Sequence, residues 1–165
     1  MLTTLLLSVI LMAALFLLLY AGVALIQDKR FFSSAPKAVQ DAVRPKAERF
    51  HGQHALGWGL AATALLLFPA AFLYGAWDGA RQDFTFWQFA FRFAVMLYLL
   101  KAFDILVFDW ILLCHGHFFP RYYPEVKPVL GPHLFGYNRK EHLTHMILFI
   151  PAVLIMAWLA TLLWR

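Results

Sequence analysis

The sequence predicts an all-α integral membrane protein, a four-transmembrane-helix bundle with both termini on the outer side. Three observations predict it. Of 165 residues, 62% are hydrophobic and 14% are charged, and a mean hydropathy of +0.68 lies outside the range of ordinary soluble domains. Four stretches, about residues 2–26, 56–77, 87–113 and 143–164, each supply the roughly 20 mostly apolar residues that a spanning helix needs. Basic residues crowd the first and third connections and thin out in the second, as the positive-inside bias requires. The four spans take up more than half of the chain, so residues 1–165 read as a single transmembrane domain with no separate soluble catalytic domain.

The first span has no Lys or Arg ahead of it, and its apolar run exceeds the roughly 7 to 15 residues of a secretory signal core. It reads as a retained helix. The connection from Gln27 to Gln53 carries Lys29, Arg30, Lys37, Arg44, Lys46 and Arg49. Within it, Ser34 as N-cap, Pro36 in the first turn and a stripe of Ala38, Val39, Ala42 and Val43 predict a short helix on the inner leaflet. The second span starts among small residues, Gly52, Ala55, Gly57 and Gly59, which allow close helix approach. Pro69 and Pro151 are positioned to kink the second and fourth spans.

The second connection holds only Arg81, beside Asp78 and Asp83, and the third holds Arg121, Lys127, Arg139 and Lys140. Connections one and three are therefore expected in the cytoplasm, in a multi-pass protein of the cell's inner membrane. Trp77, Trp87 and Trp164 fall at the opposite interface, as an aromatic belt does. Pro120, Pro124, Pro128 and Pro132 exclude a continuous helix in the third connection and predict a stiff, extended loop, with Phe118, Phe119, Tyr122 and Tyr123 dipping into the interface. The net charge of +5 sits in the inner connections, so it calls for anionic lipid and not for nucleic acid. A single cysteine, Cys114, excludes an internal disulfide.

Chemistry gathers near one membrane face. All seven histidines lie in or beside the inner connections, and "HGQH" and "HLTH" place His51 with His54 and His142 with His145 on shared helix faces. At about 1.5 Å per residue, His54 lies about 17 Å inward of the bilayer centre, with His145 and Asp109 each about 13 Å inward. Asp104 falls about 6 Å from the centre and Lys101 almost upon it, on neighbouring faces of one helix, close enough to pair. Arg92 points to the opposite side of that helix and is expected to snorkel to the outer interface.

Three readings follow. In the first, His54, Asp109 and His145 ligate zinc or iron, with His51, Glu141 and His142 as further ligands or acid–base groups. The protein is then a metal-dependent enzyme acting on a lipid-like substrate, with Lys101 and Asp104 at the cavity floor and Arg121 and Lys127 receiving an anionic headgroup. In the second, the protein is a non-enzymatic transport or accessory subunit in a homo-oligomer or larger membrane complex, and Lys101, Asp104 and Asp109 form a proton path or helix-pairing charges. In the third, histidines from the second and fourth spans ligate a b-type haem, a fit weakened by the redundancy of two histidine pairs. Orientation has a direct check: a cysteine placed at Asp83 is labelled from outside intact cells and one placed at Lys127 is protected, whereas the reverse pattern turns the chain over.

Overall fold

The computed structural model describes every residue except Ser33, Ser34, Trp164 and Arg165, so the expected N-cap at Ser34 and the belt position of Trp164 lie outside the described residues. The described chain is helical, without strands. Helix α1 spans Leu2–Tyr20 and continues through a wider π-helical turn, Ala21–Ile26. Helix α2 is Lys37–Ala42, α3 is Gln53–Arg81, and α4 is Phe86–Phe103, which runs on as a π-helix over Asp104–His115. Helices α5, Phe118–Tyr122, and α6, Arg139–Leu163, complete the order. Three helical stretches, Leu2–Ile26, Gln53–Arg81 and Arg139–Leu163, are long and apolar enough to cross a membrane. Large apolar side chains stay uncovered along them, Leu66, Ile147 and Trp158 among them, as a lipid-facing surface requires.

The helix ends have local causes. Gln27 takes a left-handed conformation, φ 56°, and its N–H reaches back five residues to the Gly22 carbonyl at 2.9 Å, which closes α1 with a π-type turn. Before α4, Thr85 and Gln88 form a reciprocal capping box. The Thr85 N–H donates to Gln88 Oε1 at 2.8 Å, and the Gln88 N–H donates to Thr85 Oγ1 at 3.4 Å.

The chain forms two compact units. The first comprises Met1–Ala14, Leu66–Ala102 and Arg139–Arg165, and the second Leu15–Leu65 and Phe103–Asn138. In the first, Leu11, Met96 and Ala157 are fully enclosed, and Ala71, Ala76 and Ala160 keep the contact surfaces thin. Small residues matter here because helices in lipid associate through close packing and not through exclusion of water.

Arg92 departs from expectation. It does not snorkel outward but folds into the first unit, 1% exposed. Its Nη1 donates to the Gly75 carbonyl at 2.6 Å and pairs with Asp78 Oδ2 at 2.8 Å, while the guanidinium covers the Phe84 ring at 4.4 Å. Gln82 Nε2 also donates to Asp78 Oδ2 at 2.8 Å. The cation thus finds a carboxylate, a carbonyl and a ring face one hairpin away, a better destination than a long reach to the interface.

The second unit is built on the end of α1. Gln53, fully buried, donates to the Leu25 carbonyl at 2.7 Å and to Gln27 Oε1 at 3.1 Å. Arg49 donates to the Ala24 carbonyl at 2.6 Å and to Gln53 Oε1 at 3.2 Å. These contacts fill carbonyls that a helix end leaves bare, and they place a cation at the negative pole of α1. Gly57 makes the fit possible, since a Cβ there would stand 2.7 Å from Ile26 Cγ1. Of the other small residues, Gly52 serves a turn with φ +80°, and Gly59 faces open space.

The third connection is not extended. It coils as α5 and as 3-10 turns over Pro124–Val129 and Pro132–Leu134, with prolines at the first turn, where a missing N–H costs nothing. Phe119 and Tyr123 turn inward, and Tyr123 meets the Phe32 ring edge-on at 4.9 Å. Val39 of α2, Val43 and Val126 complete this core. Lys46 and Glu125 bridge its rim at 2.9 Å.

Removing either partner of the buried ion pair leaves a bare charge. Arg92→Met or Asp78→Leu alone should lower stability by roughly 3 to 5 kcal/mol, while the double variant should return close to the parent. Unfolding in mild detergent checks this; equal losses in the double and single variants would show that Arg92 and Asp78 act separately.

Candidate functional site

The π-helical run Asp104–His115 gives the candidate site its register. Hydrogen bonds in a π-helix join residues five apart, so residues at that spacing lie within about 50° of each other around the axis. Asp104, Asp109 and Cys114 have that spacing. In an α-helix they would diverge by about 140° at each step. Runs of π-helix are rare and recur at functional sites.

Asp109 and Cys114 are buried, and Asp104 is partly buried. Asn138 Nδ2 donates to Asp109 Oδ2 at 3.3 Å. Asn138 immediately precedes α6, a position that favours side chains able to cap a helix. Nothing in that position points to Asp109, so histidine counting misses the pair. At the end of the same run, His115 Nδ1 lies 2.9 Å from the Trp110 carbonyl, again a spacing of five.

In the first unit, Lys101 is 8% exposed, and its Nζ lies 3.5 Å from His145 Nδ1. Spacing along the helices had separated these two levels by about 13 Å. Two features close that gap: α6 begins at Arg139, which moves its midpoint toward His145, and the lysine side chain is long. Next to this contact, Tyr98 donates its hydroxyl to the Met146 carbonyl at 2.8 Å and stands edge-on to Phe149, tying α4 to α6.

His54, in the second unit, has a different partner. Glu48 Oε1 accepts the His54 backbone N–H at 2.8 Å and lies 3.6 Å from His54 Nδ1. Glu48 thereby caps the start of α3 with negative charge. The His54 backbone bond holds the Glu48 carboxyl below its usual range, outweighing partial desolvation. At the rim of the second unit, burial pushes the Glu125 carboxyl up, but the Lys46 hydrogen bond and backbone donors outweigh it and hold the group below its usual range. Burial, then the nearby Glu125 charge, raises the Tyr123 hydroxyl well above the ordinary phenol value.

The structure therefore distributes the proposed ligands among separate partners: His54 with Glu48, Asp109 with Asn138, and His145 with Lys101. Among the described residues, no three His, Cys, Asp or Glu side chains gather in an arrangement that would hold a metal ion. His142 is buried in the first turns of α6, whereas Glu141 and His51 are exposed. Arg121 and Lys127 are also exposed, on α5 and the following turn.

Because Glu48 has a lowered carboxyl pKa in the folded chain, its contribution to the start of α3 is complete above the ordinary glutamate value and is lost as pH falls through the folded one. Amide exchange at His54, corrected for intrinsic chemistry, should rise as the pH falls below the ordinary glutamate range in the parent and respond little to pH in Glu48→Gln. Identical profiles would remove Glu48 as the cap. Compared with known proteins, the chain matches no family model, no curated protein and no solved structure.

Proposed function

We propose that the chain is a multi-pass inner-membrane protein that handles protons within the bilayer, as a transport or accessory subunit of a larger membrane assembly. The contact between Lys101 and His145 carries this reading. A buried ammonium and an imidazole 3.5 Å apart form a donor–acceptor pair through which a proton can pass, since neutral imidazole accepts where ammonium donates. Ionisable groups inside membrane helices are costly and mark ion or proton pathways. The π-helical run extends the series by two carboxylates, Asp104 and Asp109, on the same continuous helix. Phe86–His115 then serves as the fourth span, with connections one and three in the cytoplasm and both termini outside. Exposed Arg121 and Lys127 face anionic headgroups on that side.

The Glu48 and His54 pair favours a second reading. A carboxylate at one imidazole nitrogen orients the other toward a metal, and His54 Nε2 is buried without a hydrogen-bond partner among the described residues. Zinc or iron held by His54, and by Asp109 and His145 as the sequence suggested, would make the protein a metal-dependent enzyme acting on a lipid-like substrate. A haem has no comparable support, because His54 and His145, one from each pair suggested for it, already face charged side chains.

Proteoliposomes loaded with a pH-sensitive dye separate these readings. Vesicles holding the parent protein should dissipate an imposed pH gradient faster than empty ones, and Lys101→Met or His145→Phe should slow this by about tenfold or more. Unchanged rates in both variants overturn the proton reading. Stoichiometric zinc or iron in the purified protein, lost in His54→Ala, would replace it with the enzyme.

A further inference from the structure

Arg49 closes the end of α1 with only part of its guanidinium. Its Nη2 donates to the Ala24 carbonyl at 2.6 Å and its Nε to Gln53 Oε1 at 3.2 Å, while Nη1 has no hydrogen-bond partner among the described residues. The guanidinium lies over the Tyr122 ring of α5, 5.6 Å from its centroid. Stacking uses the flat face of an arginine and leaves its N–H edge open. Tyr122 in turn meets Tyr20, the last residue of α1, edge-on at 6.4 Å. Arg121 stands beside Tyr122 on α5 and is exposed. Burial, then Tyr20, raises the Tyr122 hydroxyl above its ordinary value against the pull of Arg121 and Arg49, so the group stays a proton donor with two cations close by. The carboxylates of these two connections have other partners: Asp28 has Arg30, Asp41 has Lys37, Glu125 has Lys46 and Glu48 has His54. Arg49 and Arg121 therefore carry positive charge that no carboxylate among the described residues answers.

We propose that Arg49, Arg121 and the Tyr122 hydroxyl bind the phosphate of an anionic lipid in the leaflet where α1 ends. The chemistry selects that ligand. Two guanidiniums offer planar N–H forks that match phosphate oxygens, and the phenol adds a neutral donor. The same two charges repel a metal cation. The lipid source follows from depth. Tyr20 ends the α-helical part of Leu2–Ile26, a stretch long and apolar enough to cross a membrane, and tyrosines collect where hydrocarbon meets headgroups. Arg49 bonds a carbonyl of the same stretch, which holds its open edge at headgroup level. A lipid of net negative charge is preferred to a zwitterionic one, whose own cation already offsets its phosphate. The inference rests on the membrane placement in the proposed reading and narrows a diffuse attraction for headgroups to one site. It involves neither Lys101 nor His145, and every residue named lies within the second unit.

Native mass spectrometry of the full chain in neutral detergent reads lipid binding directly, with dioleoylphosphatidylglycerol, dioleoylphosphatidylcholine and inorganic phosphate as probes. The parent should bind the glycerol lipid about tenfold or more tightly than the choline lipid. Arg121→Gln and Tyr122→Phe should each remove most of that preference. Lys37→Gln, which changes net charge equally at a lysine already paired with Asp41, should leave it intact. Arg49 stays in place throughout, because it also closes α1. Equal affinity for the two lipids in the parent overturns the proposal. So does a preference that survives Arg121→Gln, and so does one lowered equally by Lys37→Gln, which would assign it to overall charge. Displacement of the lipid by an equal concentration of inorganic phosphate overturns the lipid source and gives the same donors to a soluble anion. Should Tyr122→Phe fail to fold, shown by lost helical signal, exposed Arg121 and the lipid comparison in the parent still decide the matter. Proton flux is a separate readout: an absent lipid preference beside intact pH-gradient dissipation removes this site and leaves the proton reading standing.

Discussion

A backbone carbonyl with no partner is the constraint that shapes the second unit. Where α1 stops, its last carbonyls have no partner within the helix, and a buried carbonyl left bare costs free energy. Arg49 and Gln53 answer that demand, the first from just before α3 and the second as its first residue. Because both side chains also contact each other, the end of α1 and the start of α3 are set as one piece. Much of the rest follows: Gly57 permits the approach, Glu48 caps the helix that Gln53 begins, and Lys46, a few residues earlier, reaches Glu125 across the rim.

The same constraint explains why the interior charges are so thoroughly accompanied. Arg92 is held by a carboxylate, a carbonyl and a ring, Asp109 by an amide, and Lys101 by an imidazole. The first arrangement is made by residues of one hairpin and has the character of a fastening. Lys101 and His145 differ, because a neutral imidazole can accept from the ammonium, and His145 is exposed at the surface of α6. One charged position on α4 therefore serves architecture and another, nine residues on, is suited to chemistry.

How much of this was legible in the sequence varies with the physics involved. Three spans were plain from apolar length alone, and the end of the first agreed to the residue at Ile26. Histidines and aspartates stand out in the sequence because such residues are scarce in apolar helices, but the structure gives His54, Asp109 and His145 separate partners. Partners were harder to read. Nothing in the spacing of Glu48 and His54, six apart across a Gly turn, signals a cap, and helix-face arithmetic sent Arg92 outward because it ignores what lies on the neighbouring helix. The third connection was misjudged for a different reason. Four prolines forbid one long helix, but Pro124 and Pro132 suit the start of short ones, and Phe119 and Tyr123 then had a core to enter. The widened winding after Phe103 leaves no mark in composition, because apolar residues suit either helix.

That winding gives the helix a mechanical property. A π-helical stretch holds more residues in each turn than an α-helix and is correspondingly shorter for the same chain length. Were Asp104–His115 to rewind to α geometry, the segment would lengthen and rotate, fanning Asp104, Asp109 and Cys114 further apart around the axis. No residue need leave the helix for this to happen, since each N–H only exchanges one carbonyl for its neighbour. The segment is thus a screw with two threads, and the carboxylates are the marks upon it that show which thread is engaged.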